Sequence, residues 1–191
     1  MRRFVQTVVL VWSVFTLVAC GRAASVQDAT NSSPSSSAPP TTVRISTSPA
    51  PDFGFEFAYG ACFTNRMNTF TQRYTKDMVT APAITVTVTL PPSEMERIYQ
   101  KMVEIDFFDY PSTYKIPIGP NEPMVITSAA MHYHFSVRNN AETKTVDWLD
   151  DIIQPTKPEA DRLRELAKLM IKVIEARPEI QALPAPNAGC A

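Results

Sequence analysis

From residue 53 to residue 90 the chain alternates apolar and polar positions with a period of two, broken twice by turn residues. Phe53, Phe55, Phe57 and Tyr59 alternate with Gly54, Glu56, Ala58 and Gly60, which predicts a strand over 53–63. Thr64-Asn65-Arg66 turns the chain. The threonine-rich run 67–79, carrying Phe70, Tyr74 and Met78, then reads as one further strand, paired with the first as a hairpin. Pro82 interrupts, and Ile84, Val86, Val88 and Leu90 alternate with Thr85, Thr87 and Thr89 as a third, half-buried strand.

After Leu90 the period changes to that of a helix. Met95, Ile98, Tyr99, Met102 and Ile105 share one side of a helix over 93–105, and Ser93 with Glu96 has the form of a capping box at its start. Phe107-Phe108-Asp109-Tyr110-Pro111 closes it with aromatics packed under the turn, and 112–124, rich in proline, reads as a loop. Period two returns over 126–137, where Ala129, Met131, Tyr133, Phe135 and Val137 face away from Ala130, His132, His134, Ser136 and Arg138. Asn139-Asn140 tolerates positive φ, so 141–149, with Val146 and Trp148 on one face, returns as the second arm of a hairpin. Thr156 with Glu159 repeats the capping box, and Leu163, Leu166, Ala167, Met170, Val173 and Ile174 form the stripe of a helix over 157–176 ended by Pro178. The order β-β-β-α-β-β-α predicts an α+β domain: a mostly antiparallel five-stranded sheet with two helices packed on one face.

The segment before residue 53 cannot join that core. From Gly21 to Asp52 it carries Ser32-Ser33-Pro34-Ser35-Ser36-Ser37-Ala38-Pro39-Pro40 and no aromatic residue, the composition of a tether. As a coil, about 30 such residues span roughly 30 Å. Upstream, Arg2 and Arg3 precede the apolar run Phe4 to Val18, which has the form of a secretory signal. The run ends in Leu17-Val18-Ala19-Cys20. This pattern resembles the lipobox of bacterial lipoproteins, and the resemblance implies cleavage before Cys20, a diacylglycerol thioether on its sulfur and acylation of the new amino terminus. An ordinary signal cut near Ala19 or Ala24, or an uncleaved anchor, competes with it, and a cleavage cue that ends in Cys favours the lipobox. The chain therefore divides into a signal peptide over 1–19, acylated Cys20 and tether over 20–52, a single α+β domain over 53–184, and a tail over 185–191. The expected location is the outside of the cell membrane or, as Gly21 after the Cys implies where there are two membranes, the outer membrane.

Charge narrows the partners. Eighteen basic and nineteen acidic residues give a net charge of −1, and no basic block follows the leader, which argues against nucleic acid. Once lipid takes Cys20, Cys62 and Cys190 are left as candidates for a disulfide tying the tail to the first strand; a buried, inert Cys62 with a frayed Cys190 is the equal alternative. Candidate chemistry is sparse. The chain holds no Gly-x-Ser-x-Gly, His-Glu-x-x-His or Cys-x-x-Cys. Asp150-Asp151 and the cluster Arg73, Lys76, Asp77 have the residue types of acid–base or substrate groups, and equally those of a solvated surface. Trp148 suits a stacking platform or, in its apolar stripe, core packing. His132 and His134 share one strand face, about 7 Å apart, and would hold Zn²⁺ only with a third ligand from the neighbouring strand, where Glu142 and Asp147 are nearest in sequence.

Asn68-Thr69-Phe70, Tyr74-Thr75-Lys76-Asp77-Met78, Ile98-Tyr99-Gln100-Lys101-Met102 and Ile105-Asp106-Phe107-Phe108-Asp109-Tyr110-Pro111 resemble an uncharacterised family of bacterial envelope proteins. The resemblance spans about 55–183 and implies a fold without an activity. The sequence thus predicts a lipid-anchored, extracytoplasmic protein needing no cofactor, acting by binding or by supporting an assembly. Its partners are the membrane, through Cys20, and an envelope protein or wall component. The alternative is a metal-dependent or hydrolytic enzyme using His132 and His134.

Overall fold

A computed structural model of the chain describes residues 48–61 and 64–186. The domain is α+β, and its single sheet has seven strands: β1 (Gly54–Gly60), β2 (Asn65–Asn68), β3 (Arg73–Lys76), β4 (Ile84–Thr87), β5 (Thr113–Tyr114), β6 (Val125–Asn139) and β7 (Glu142–Gln154). They lie in the order β4-β3-β2-β1-β6-β7-β5. All pair antiparallel except β5, which runs parallel to β7 with Thr113 opposite Asp147. The expected five strands become seven, and the sheet is mixed.

Two local causes account for the difference. The run 67–79 is not one strand. Asn68 Oδ1 accepts the N–H groups of Phe70 and Thr71, and Gln72 adopts a φ of 54°, so the chain reverses between β2 and β3. Alternation survives the reversal because Met67 and Tyr74 face each other across the new pair, which is why the pattern read as continuous. The second cause lies in 112–124, where Ser112 O accepts the N–H of Asp147 at 2.8 Å and lays β5 along β7 before Pro117 ends the run.

The hairpin of β6 and β7 extends past the predicted 126–137 and 141–149, with a register shift between Ile126 and Met131. Its tip is built by positive φ at Asn140 (55°) and Ala141 (61°), the backbone of a type I′ turn. Asp52 clamps that tip from outside, its carboxylate accepting both N–H groups at 2.9 and 2.7 Å.

Helix α1 (Pro92–Glu104) and helix α2 (Pro158–Glu175) match the predicted spans, but neither capping box forms. Pro91 and Lys157, both extended, precede a proline at the first helical position, and no side chain caps either start. The proline ring fixes φ and forces the residue before it out of the helix, so it sets the boundary in place of Ser93 or Thr156. Pro178 does not simply stop α2; it opens a further turn, α3 (Pro178–Gln181), which buries Ile180.

Both long helices cover the same face of the sheet. Phe55, Phe57, Tyr59, Tyr133, Phe135 and Trp148 point at them, and the Phe57 ring stacks on Phe135 at 4.9 Å while Phe107, from a 3-10 turn after α1, meets Phe135 edge-on at 5.6 Å. Burying each such aromatic contributes about 2–3 kcal/mol. Tyr59 Oη donates to Glu175 at 2.8 Å and Lys101 pairs with Glu165 at 2.8 Å, which tie α2 to the sheet and to α1. Cys20, Cys62 and Cys190 lie outside the described residues.

Candidate functional site: an uncovered sheet face and the cavity at its edge

The face turned away from the helices is polar. Register places Thr75, Arg66, Ala58, His134, Asp147 and Thr113 in one row across the strands, and Arg73, Asn68, Glu56, Ser136 and Thr145 in the next. Glu56 pairs with Arg66 at 3.0 Å and accepts from Asn68 at 2.9 Å. His134 Nδ1 lies 2.7 Å from Asp147 Oδ1, the geometry in which a carboxylate fixes the orientation of an imidazole. With side-chain exposures of 32% and 45%, this pair contributes little to stability.

Beside this face, along the outer side of β7, lies a cavity of about 480 Å³. Tyr114, Lys115 and Ile116 form one wall as the chain leaves the sheet after β5, and Leu149, Asp151 and Ile152 of β7 form the other. His132 and Asp147 border it from the polar face. The volume is in the range of ligand sites, and the cavity exists because β5 pairs with only two residues of a thirteen-residue strand. Burial, followed by the Tyr110 hydroxyl, pushes the Tyr114 phenol up to about 12. Among the described residues Tyr114 Oη and Trp148 Nε1 are buried without a hydrogen-bond partner, at a cost of about 1–3 kcal/mol each. Lys115 and Asp151 make no ion pair with any other described residue.

The residues singled out by sequence disperse. His132 and His134 do share the face opposite Tyr133 and Phe135, but Glu142 sits opposite Asn139, far along the hairpin, and His132 faces Leu149. Among the described residues no group of three His, Cys, Asp or Glu side chains is placed to hold a metal ion. Asp150 and Asp151 are not a carboxylate pair, because successive strand residues point to opposite faces. Asp150 instead receives a two-pronged Arg164 guanidinium at 2.8 and 2.6 Å. Arg73 and Lys76 likewise separate, and Asp77 is spent on the N–H groups of Thr64 and Val79. Trp148 is 1% exposed and packs in the core against Tyr133 and Tyr114. The sequence reading missed Tyr114, Lys115 and Leu149. The available signal is Leu149-Asp150-Asp151-Ile152-Ile153, an apolar-bounded run that carries the strand past its expected end at 149 to Gln154.

No protein-family model matches the chain, and no curated protein matches it closely enough to count as a relative. The family resemblance therefore rests on the residues quoted above. Among the described residues no helix is long and apolar enough to cross a membrane.

Proposed function

We propose that this is a lipid-anchored, extracytoplasmic binding module. Acylated Cys20 holds it at the membrane, the tether lets the domain range over a thin shell, and the cavity along β7 with the adjoining polar face takes an envelope protein or wall component. The action is positional: confinement raises the effective concentration of a partner in the same envelope, so that a weak contact is occupied. The observation that carries the reading is the cavity itself, where exposed Leu149 stands beside Asp151 and Lys115, whose charges have no ion-pair partner among the described residues, a mixture of apolar and polar groups suited to recognition.

A photoreactive residue at Lys115 or Leu149, introduced in intact cells, should trap one partner that the same group at Thr85 of β4 does not. Equal labelling at the three positions, or none, would overturn the reading.

The hydrolytic alternative keeps one supporting observation, the imidazole of His134 oriented by Asp147. No hydroxyl or thiol is hydrogen-bonded to that imidazole among the described residues. Turnover of ester or peptide substrates that disappears in His134→Ala, while capture at Leu149 persists, would move the enzyme to first place.

A further inference from the structure

We propose that the outer edge of β7 from Leu149 to Ile153 is a strand-addition site for an extended peptide that places a lysine or arginine opposite Asp151 between two apolar side chains. This names the partner's chemistry at the cavity just described and rests on the binding reading given there.

The backbone supplies the first part of the case. Asp147 sends its N–H outward, away from β6, to Ser112 O. Backbone direction in a regular strand repeats every two residues, so Leu149 and Asp151 turn their N–H and C=O groups to the same outer side, up to the register shift that sets Ile152 against Ile126 and Gln154 against Val125. Among the described residues no strand pairs with that side of β7 beyond Trp148, since β5 ends at Tyr114. β5 shows that this edge accepts a neighbour, and the cavity lies where that neighbour would continue.

The other free edge of the sheet is guarded in a different way. β4 has four residues and is flanked by Pro82 on one side and Pro91-Pro92 on the other, a short edge that offers little to pair with. β7 offers a longer run, with Leu149 and Ile153 exposed by 53% and 51% on either side of Asp151.

Charge selects the occupant. Of the acidic residues in this stretch, Asp150 is neutralised by Arg164 and Asp147 faces His134, but Asp151 has no partner among the described residues. A second copy pairing antiparallel about Asp151 would set two carboxylates directly opposite each other, which is destabilising in a sheet. A foreign strand with a cation at that position meets attraction instead, and apolar residues two positions away on each side would cover Leu149 and Ile153.

The test takes the purified full chain and three synthetic heptapeptides of alternating threonine and valine, threonine first: one with a central lysine, one with a central glutamate, and the lysine peptide N-methylated along one edge. The lysine peptide should bind and slow hydrogen exchange at the amides of Leu149 and Asp151 by about tenfold or more, leaving β4 unchanged. N-methylation should abolish binding, and Asp151→Lys should transfer it to the glutamate peptide. Absence of binding at about 1 mM, protection elsewhere, or indifference to N-methylation would overturn the proposal. So would protection that appears when the protein alone is concentrated, which means a second copy, or when phosphatidylethanolamine–phosphatidylglycerol vesicles are added, which means a bilayer. Cellular crosslinking at Leu149 without edge protection by peptide sinks strand addition alone; edge protection without cellular capture sinks the envelope-partner reading alone.

Discussion

Arg164 gathers four side-chain hydrogen bonds between α2 and β7 and within α2. Besides its fork on Asp150, its Nη1 donates to Asp161 at 2.7 Å, its Nη2 to the carbonyl of Ile152 at 2.9 Å, and its guanidinium lies 5.5 Å over the Trp148 ring. With exposures of 19% and 13%, the Arg164–Asp150 pair is largely out of water. Arg164→Ala would leave Asp150 uncompensated beneath α2, and urea denaturation should show a loss of about 2–3 kcal/mol, below the range for a fully buried pair; Arg164→Lys, which keeps charge and loses the fork, should lose about half of that. The tyrosines give the pH dependence. Burial raises the phenols of Tyr59, Tyr74, Tyr110, Tyr114 and Tyr133 above their ordinary 10.0. A group whose folded pKa exceeds its unfolded one gives stability that is complete below the unfolded value and is lost as pH rises through the folded value. Stability should therefore fall from about pH 10 upward. Tyrosinate absorbance should rise in one steep step coincident with loss of circular dichroism; a gradual titration centred near 10 with the fold intact would contradict the burial of these rings.

The β6–β7 hairpin shows what periodicity can and cannot reveal. The apolar face of Tyr133, Phe135 and Val137, its opposite histidine face, and the return through Val146 and Trp148 were all readable, because alternation reports burial on one side of a strand. The same reasoning located β1, β4, α1 and α2. It could not see that β2 and β3 are separate, because a tight antiparallel reversal preserves alternation, nor that β5 exists, because two residues carry no period. The cavity was invisible for the same reason: its walls come from 113–116 and 149–152, united by a parallel pairing that no local pattern encodes. The turn of the hairpin is a local matter and yields a prediction. Ala141 sits at a φ of 61° where the type I′ geometry favours glycine, and a Cβ in that region is strained. Ala141→Gly should stabilise the domain by about 1 kcal/mol in chemical denaturation, because it relieves that strain while keeping the N–H that Asp52 accepts. The N–H of Ala141 is the chief reason the Asp52 carboxyl lies below its ordinary 3.8, so this clamp holds above that range and is released as pH falls through the lowered value.

That clamp also marks where the folded domain meets the rest of the chain. Ala50 donates to Asn139 at 3.0 Å and Asp52 holds Asn140 and Ala141, so the segment 50–52 is fastened to the tip of the hairpin. The strand-addition edge at 149–153 belongs to the opposite end of the same hairpin, eight or more residues along β7 from Ala141 and about 25 Å away at 3.3 Å per residue. Under the proposed anchoring, a pull transmitted from Cys20 would enter the domain at Asp52. The amino-terminal chemistry is the part of this scheme most directly tested. Each buried methylene of an acyl chain contributes about 0.8 kcal/mol, and one chain holds a protein only marginally, whereas two or three chains make release negligible. Cys20→Ser would remove the sulfur that the proposed thioether requires, and with it the proposed cue for cleavage and acylation at that position. The substituted protein should leave the membrane pellet for the soluble envelope or medium fraction, while its folded domain should melt at the unsubstituted temperature. Mass spectrometry of the unsubstituted chain should find the mature amino terminus at Cys20, carrying diacylglycerol. Recovery of Cys20→Ser in the pellet after high-salt washing would show that something other than lipid on this sulfur holds the protein, and the tethered-module mechanism would lose its anchor.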